Sequence, residues 1–473
     1  MTTIEFKEAL SYLQDIIKGT HFENHVYIVG GSVRDYLMHN DINDIDIAVD
    51  LQDGGKEFAN WITAKNDCLS STNPCTFGRA DTYRFHIPNN PKLKNAVFDC
   101  VQTRLNPSYA VQEGESNLGN IISDGELRDL TINAMYLDVS TMEIFDFFNC
   151  GKDLEKNLLR TPSSNPSVTF KDDPLRMMRV IRFSTIYGWE IEKDTWMGIL
   201  KNHSLIKSVS VERFREEFNK ILLSPCPSVG LNKMLYSGIL YDMLPQLYEL
   251  NHTSDNQFDD NVWVHTLMVI NETKPTLVNR LSALFHDVGK PKSRKFVNGL
   301  GRYVYYGHDV VSADIASTIM RNLKYPKLPI DCVQICIKNH MALTNTANPS
   351  HKSMRKFLAN VGKLKPVVMD LMRANAIAKG SLDRYLGIEK KLQDVSMEMD
   401  YANIKLPING NEICQALNIQ PSPVVGKILE EIKDNMLTNP NLTKEDALSI
   451  AKLYHAQVKF ATSQKKSDMP FDN

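Results

Sequence analysis

The stretch Tyr27–Asp50, YIVGGSVRDYLMHNDINDIDIAVD, decides how the N-terminal part of the chain reads. The apolar run Val26–Val29 predicts a strand that stops at Gly30-Gly31, and Ser32-Val33-Arg34-Asp35 opens a helix. A glycine turn at such a junction aims free backbone N–H groups at an anion and lets a phosphate approach closely. Arg34, one turn into the helix, adds a bidentate charge-assisted contact to the same phosphate. Asp44-Ile45-Asp46 follows on a second predicted strand, where alternation turns both carboxylates to one site and Ile45 to the core. Two hard oxygen ligands on a rigid edge suit Mg²⁺ carrying substrate phosphates. Paired ions of this kind activate an attacking hydroxyl and neutralise a leaving pyrophosphate. Asp99, in Val97-Phe-Asp-Cys, is the candidate third carboxylate from a neighbouring strand.

Outward from this stretch, Ala96–Val101 and Ala134–Val139 read as further strands of an α/β head spanning 1–140. Just before the second of them, Leu127-Arg128-Asp129-Leu-Thr-Ile-Asn133 supplies Arg128 for a triphosphate or ribose and Asn133 as a ribose donor or loop brace. Residues 141–160 form a connector and Thr161–Val168 a Pro/Ser/Asn loop. From Asp173 onward strand signals largely disappear, and helical spacing runs through Arg176–Tyr187, Asp194–Lys201, Val211–Leu222 and Val229–Leu235. The class predicted is α+β, with a helical neck at 141–225, a helical body at 226–400 and a helical tail at 401–473. The last stretch, Ser463–Asn473, is polar and expected to fray.

The neck holds a second chemical signal, Phe170-Lys-Asp-Asp173-Pro-Leu-Arg176-Met-Met-Arg179-Val-Ile-Arg182-Phe. Pro174 suits the first helical position with Asp173 as cap, and three arginines at every third residue share one face. Cytosine and adenine both offer an exocyclic amino donor beside a ring-nitrogen acceptor; guanine and uracil offer a carbonyl beside a ring N–H. A carboxylate only accepts and a guanidinium only donates, so Asp173 with Arg176 fits the first pair and mismatches the second. Each mismatch strands buried polar groups at ~1–3 kcal/mol.

The composition narrows the possibilities. In 473 residues, 54 Lys+Arg balance 56 Asp+Glu, which excludes a polybasic protein and confines any nucleic-acid site to a local basic patch. Eight cysteines without zinc-ribbon spacing suit free thiols in a reducing cytoplasm. Neither a signal pattern nor a run of ~18 apolar residues is present, so no membrane partner is expected.

Taken in order, GGSVRD, DID, LRDLTINAM, the connector at Asp146–Asp153, DDPLRMMR and SVSVERFREEF at Ser208–Phe218 resemble the class II tRNA nucleotidyltransferases, the CCA-adding enzymes related to bacterial poly(A) polymerases. The resemblance implies template-independent addition of CCA to tRNA from CTP and ATP. In it Gly30, Gly31 and Arg34 meet the nucleotide, Asp44 and Asp46 hold Mg²⁺, and Arg128 binds the triphosphate. Asp173, Arg176, Arg179 and Arg182 form the base-reading face. A poly(A) polymerase, or an enzyme adding only CC or only A, stays open as an alternative, as does a metal phosphohydrolase whose head binds RNA. Departures from the family pattern are Leu127 before Arg128-Asp129, Asp172 before Asp173, and Asn149-Cys150 where two glycines are usual.

The body resembles an HD phosphohydrolase domain through His265, His286-Asp287, His308 and His340, which implies a second divalent metal. The usual final aspartate aligns with Asn375, and Asp370 lies off that helical face, which predicts a weakened or altered hydrolase. Lys352, Arg355, Lys356, Lys363 and Lys365 form a candidate patch for the acceptor arm of tRNA.

Overall fold

The computed structural model describes residues 3–467 except 43, 66–74, 78–79, 88–89, 91–92, 94–95, 106–117, 254–260, 345–347, 398–400, 402–404 and 440. The chain divides into two compact units, 1–245 and 246–473.

The first unit is built on seven strands: β1 (Val26–Val29), β2 (Asp44–Val49), β3 (Cys75–Phe77), β4 (Ala80–Phe85), β5 (Val97–Gln102), β6 (Tyr136–Asp138) and β7 (Ile144–Phe145). Their order is β3-β4-β5-β2-β1-β6-β7. Among the described residues of this sheet only β2 and β5 run parallel, with Asp46 opposite Asp99, and the helix Gly54–Lys65 lies in the crossover between them. Alternation along β2 separates two faces. Ile45, Ile47 and Val49 join a core with Phe58 and Ile62 of the crossover helix and Phe6, Leu10 and Leu13 of the helix Thr3–Ile17. Asp44 and Asp46 point the other way, as the sequence predicts. On that second face Tyr27, Val29, Ala48 and Tyr136 form a smaller apolar cluster under the site.

The four strands expected in the head and the helices expected from 176 to 235 are present within a residue or two, Val211–Leu222 with the same bounds. Three expectations need correction. The segment 161–168 is not all loop: a helix starts at Pro166, capped by Asn165, whose side chain accepts from Ser167 N–H at 3.2 Å. The arginine helix begins at Leu175 rather than at Pro174, so Asp173 lies one position further out. The neck and body are not wholly helical: Leu158–Leu159 pairs with Glu190–Ile191, and Lys295–Val297 forms a hairpin with Arg302–Val304.

The connector turns at Asn149-Cys150. Asn149 adopts φ 59°, a left-handed conformation that asparagine tolerates better than most residues. Asp146 then holds the turn, accepting from Cys150 N–H at 2.8 Å and Gly151 N–H at 3.0 Å.

The second unit is helical. Its larger core gathers around Met354, Phe357, Val368, Met372, Ile388 and Leu392. The last three helices, Gly410–Leu417, Pro423–Met436 and Lys444–Ser467, carry a core of their own around Ile413, Ile428 and Ile432. The end of the tail expected to fray is helical to Ser467, and 468–473 lies outside the described residues. Among the described residues no helix is long and apolar enough to cross a membrane.

Gly55 marks where the crossover helix presses on the sheet: a Cβ there would stand 2.7 Å from the Val101 carbonyl carbon and 2.9 Å from Gln102 N. Backbone cannot step aside as a side chain can, so Gly55→Ala should destabilise the first unit by about 1–3 kcal/mol. Urea unfolding would show this as a lower midpoint, and an unchanged midpoint would refute the tight packing.

Candidate active site and a candidate metal centre

The first unit encloses a cleft of 680 Å³ between the sheet face bearing the carboxylates and the arginine helix. Gly30 sits at its floor with φ 68°, a conformation open to glycine at little cost. A Cβ on Gly30 would lie 2.9 Å from Asp46 Oδ2 and 3.5 Å from Arg128 Nη1. The glycine bend, the metal-type carboxylate and the triphosphate-type arginine therefore converge on one spot. Asp44 stands exposed at the start of β2 and Asp46 is partly buried. Burial and the neighbouring carboxylates Asp99 and Asp44 push the Asp46 carboxyl up to about 6, with Arg128 opposing. Of the three carboxylates expected here, Asp46 lines the cleft while Asp44 and Asp99 do not, and among the described residues the three do not form a close ligand cluster. Asp99 is meanwhile gripped by Arg84 through two bonds, 2.8 Å to Oδ1 and 2.7 Å to Oδ2.

The opposite wall holds the three arginines expected to share a face, and each has a carboxylate partner. Arg176 lies 3.0 Å from Asp172, Arg179 donates to Asp129 at 2.7 Å, and Arg182 donates to Glu217 at 2.5 Å. Asp173 and Arg176 both line the cleft but are not bonded to each other. Asp173 instead takes two bonds from Arg213, 2.7 and 3.3 Å, and accepts from Leu175 N–H at 3.2 Å.

Several residues that sequence reasoning missed organise this site. Ser32 Oγ donates to the Asp44 carbonyl at 2.9 Å and accepts from Asp46 N–H at 3.0 Å, tying the helix that follows the glycines to the strand of the carboxylates. Buried Asp129 accepts from Asn133 at 2.9 Å and from Arg179, while Arg34 donates to Asn133 Oδ1 at 2.6 Å. Arg34, Asn133, Asp129 and Arg179 thus form one continuous chain of bonds across the cleft. Burial alone would raise the Asp129 carboxyl, but Arg179 and the Asn133 amide hold it well below the usual carboxylate range. Asp124 likewise anchors Arg128 at 2.8 Å and Tyr136 Oη at 2.6 Å. Phe183 lies beneath the guanidiniums of Arg182 and Arg34, 4.0 and 5.1 Å from its ring centre. For Asp129 the signal was its place inside LRDLTIN; nothing local distinguished Ser32 or Phe183.

The second unit brings together all five residues expected at the metal centre. His265, His286 and Asp287 offer atoms within 4.8 Å of one another, as do Asp287, His308 and His340. Around Asp287, the Nε2 atoms of His286, His308, His265 and His340 lie at 3.1, 3.2, 3.6 and 4.0 Å. The Nδ1 atoms of His286, His308 and His340 face the carbonyls of Ala283, Tyr305 and Ile337 at 2.7, 2.8 and 2.7 Å. A carbonyl only accepts, so each Nδ1 carries a proton and each Nε2 is the atom turned toward the centre. Burial holds His265 down at about 3, the buried His340 Nε2 lacks a hydrogen bond, and Asp287 Oδ2 faces Lys290 Nζ at 3.0 Å. Imidazole nitrogens and a carboxylate gathered this closely suit a divalent cation.

Asn375 Oδ1 is also buried without a partner, in a 260 Å³ cavity that it lines with Met341, the residue after His340. Asp370 is committed elsewhere, accepting from Lys274 N–H at 2.9 Å and Asn279 at 2.7 Å. Of the expected basic patch, Arg355 reaches the Thr438 carbonyl at 3.3 Å and Lys356 lies 3.7 Å from Asp434.

Comparison with known proteins agrees with this geometry. A profile of the Poly A polymerase head domain matches residues 26–160, and one of a probable RNA and SrmB-binding site of polymerase A matches 188–250. Over these segments the chain is similar to poly(A) polymerases, and over most of its length to CCA-adding enzymes. Among its relatives, the CCA-adding enzyme of Ligilactobacillus salivarius is 26% identical over 436 residues, 92% of each chain. The CC-adding tRNA nucleotidyltransferase of Thermus thermophilus is 27% identical over 361 residues, covering 72% of this chain and 80% of that protein. The fold is that of the Bacillus stearothermophilus CCA-adding enzyme in complex with CTP, with a TM-score of 0.64 at 20% identity over 98% of this chain and 99% of that one.

Two measurements test these sites. An Asp46 carboxyl raised above its ordinary 3.8 favours the folded state while protonated, so its contribution is complete below pH ~4 and lost as pH rises through about 6. In magnesium-free buffer, Asp46→Asn should therefore gain on the wild type in urea unfolding between pH 4 and 7; a constant difference would contradict the shift. At the second centre, Asn375→Asp should tighten Mn²⁺ binding by about one to two orders of magnitude in calorimetry. Unaltered affinity would remove position 375 from the metal environment.

Proposed function

We propose that this chain adds CCA to the 3′ ends of tRNA from CTP and ATP without a nucleic-acid template, acting in the cytoplasm. The observation that carries the reading is the meeting of the Gly30 bend, Asp46 Oδ2 and Arg128 beneath a wall of arginines. Asp44 and Asp46 would hold paired Mg²⁺, with Asp99 as third carboxylate. When bound, these ions activate the tRNA 3′-hydroxyl and neutralise the departing pyrophosphate.

The remaining work falls to the chain's own groups. The N–H groups behind Gly30-Gly31 and the side chains of Arg34 and Arg128 bind and orient the triphosphate. Asn133, held between Arg34 and Asp129, braces the ribose side of the cleft. Asp173 and Arg176 read the amino and ring-nitrogen edge shared by cytosine and adenine, with Arg213 holding the carboxylate in place beforehand. Arg179 and Arg182 complete the positive wall.

Addition of CC alone is the second reading, raised by the CC-adding activity in the name of the Thermus thermophilus relative. The His/Asp centre is read as a divalent-metal site of the HD type, with hydrolysis weakened by the neutral Asn375.

Incubating the full chain with tRNA lacking its CCA end, with CTP and ATP separately and together, separates these readings. Sequenced products should end in CCA only when both nucleotides are present, and CC in their joint presence would select the second reading. Asp44→Ala and Asp46→Ala should each lower incorporation by at least about a thousandfold while the protein stays folded. Robust incorporation by either variant would refute the assignment.

A further inference from the structure

The hairpin just before His308 is not used by any role assigned so far. Between Asp287 and Asp309 lie five cations (Lys290, Lys292, Arg294, Lys295 and Arg302) and no acidic residue, in a protein whose charges otherwise balance. Val297, Tyr303 and Val304 of the hairpin are half-buried, but in and just after it Phe296 is 54% exposed, Leu300 52% and Tyr306 76%. Arg294 lies flat against Tyr303, 3.7 Å from the ring centre, and Phe296 meets the same ring edge-on at 5.1 Å. Rings and guanidiniums interleaved on one exposed strand pair match what an unpaired nucleic-acid strand needs, stacking for its bases and positive charge for its phosphates.

Both ends of this segment are tied to the metal centre. Lys290 Nζ lies 3.0 Å from Asp287, and the Tyr305 carbonyl accepts from His308 Nδ1 at 2.8 Å. We propose that residues 290–306 form a contact surface for single-stranded RNA, which holds a strand beside the His/Asp centre. Base stacking on Phe296 and Tyr306 and phosphate contacts from Lys295 and Arg302 supply the affinity. The inference borrows from the proposed function only the choice of RNA as the polymer.

Hydrogen exchange of the full-length protein, titrated with a 3′-phosphorylated oligouridylate, locates the contact without requiring turnover. Peptides covering 290–306 should gain protection as the oligonucleotide is added. Phe296→Ala with Tyr306→Ala should move the midpoint of that titration at least about tenfold. Lys295→Gln with Arg302→Gln should lower the slope of log affinity against log salt by about 1.4. No protection in these peptides, or a midpoint and salt slope unchanged in both double variants, would overturn the proposal and leave the surface to a protein partner. Failure of the proposed function would appear separately, as absence of CMP incorporation by the wild type.

Discussion

A carboxylate lodged under a glycine bend is the constraint on which the first unit depends. Asp46 can stand where it does only because Gly30 has no side chain, and Gly30 takes its left-handed conformation for the same reason. The sheet register then fixes everything else. Val29 pairs with Asp46 on one side and Asp99 lies opposite on the other, so the glycine bend, both carboxylates and the parallel crossover are set by one stretch of hydrogen bonding. Slipping β2 by one residue would bury the aspartates and expose Ile45 and Ile47, a cost the core would not tolerate.

The two walls of the cleft are coupled electrostatically. Arg34 belongs to the helix after the glycines and Arg179 to the helix of the neck, yet both end on the Asn133–Asp129 pair. Every arginine lining the cleft has an acidic or amide partner, so the cleft keeps its cations in place while remaining close to neutral. A polyphosphate entering it competes with those carboxylates, and the balance between the two sets how tightly nucleotide is held.

Much of this was legible in the sequence because it is local. Period-two alternation gave the faces of β2, and an arginine at every third residue gave the face of the neck helix. The five metal-type residues were recognisable from their order alone. What escaped depends on distant pairing: Ser32 matters through β2, Asp129 through Arg179 fifty residues later, and Arg213 through Asp173 forty residues earlier. The helix from Pro166 was missed because its Ser/Asn-rich opening is equally good turn chemistry, and the hairpin at Lys295 because its strands are only three residues long.

The three imidazoles clamped by main-chain carbonyls carry a consequence for assembly. The rings of His286 and His340 are held in orientation by carbonyls of their own helices, and that of His308 by the Tyr305 carbonyl just ahead of its helix. A cation bound there would meet ligands already oriented, and little rotational entropy would be lost in binding it.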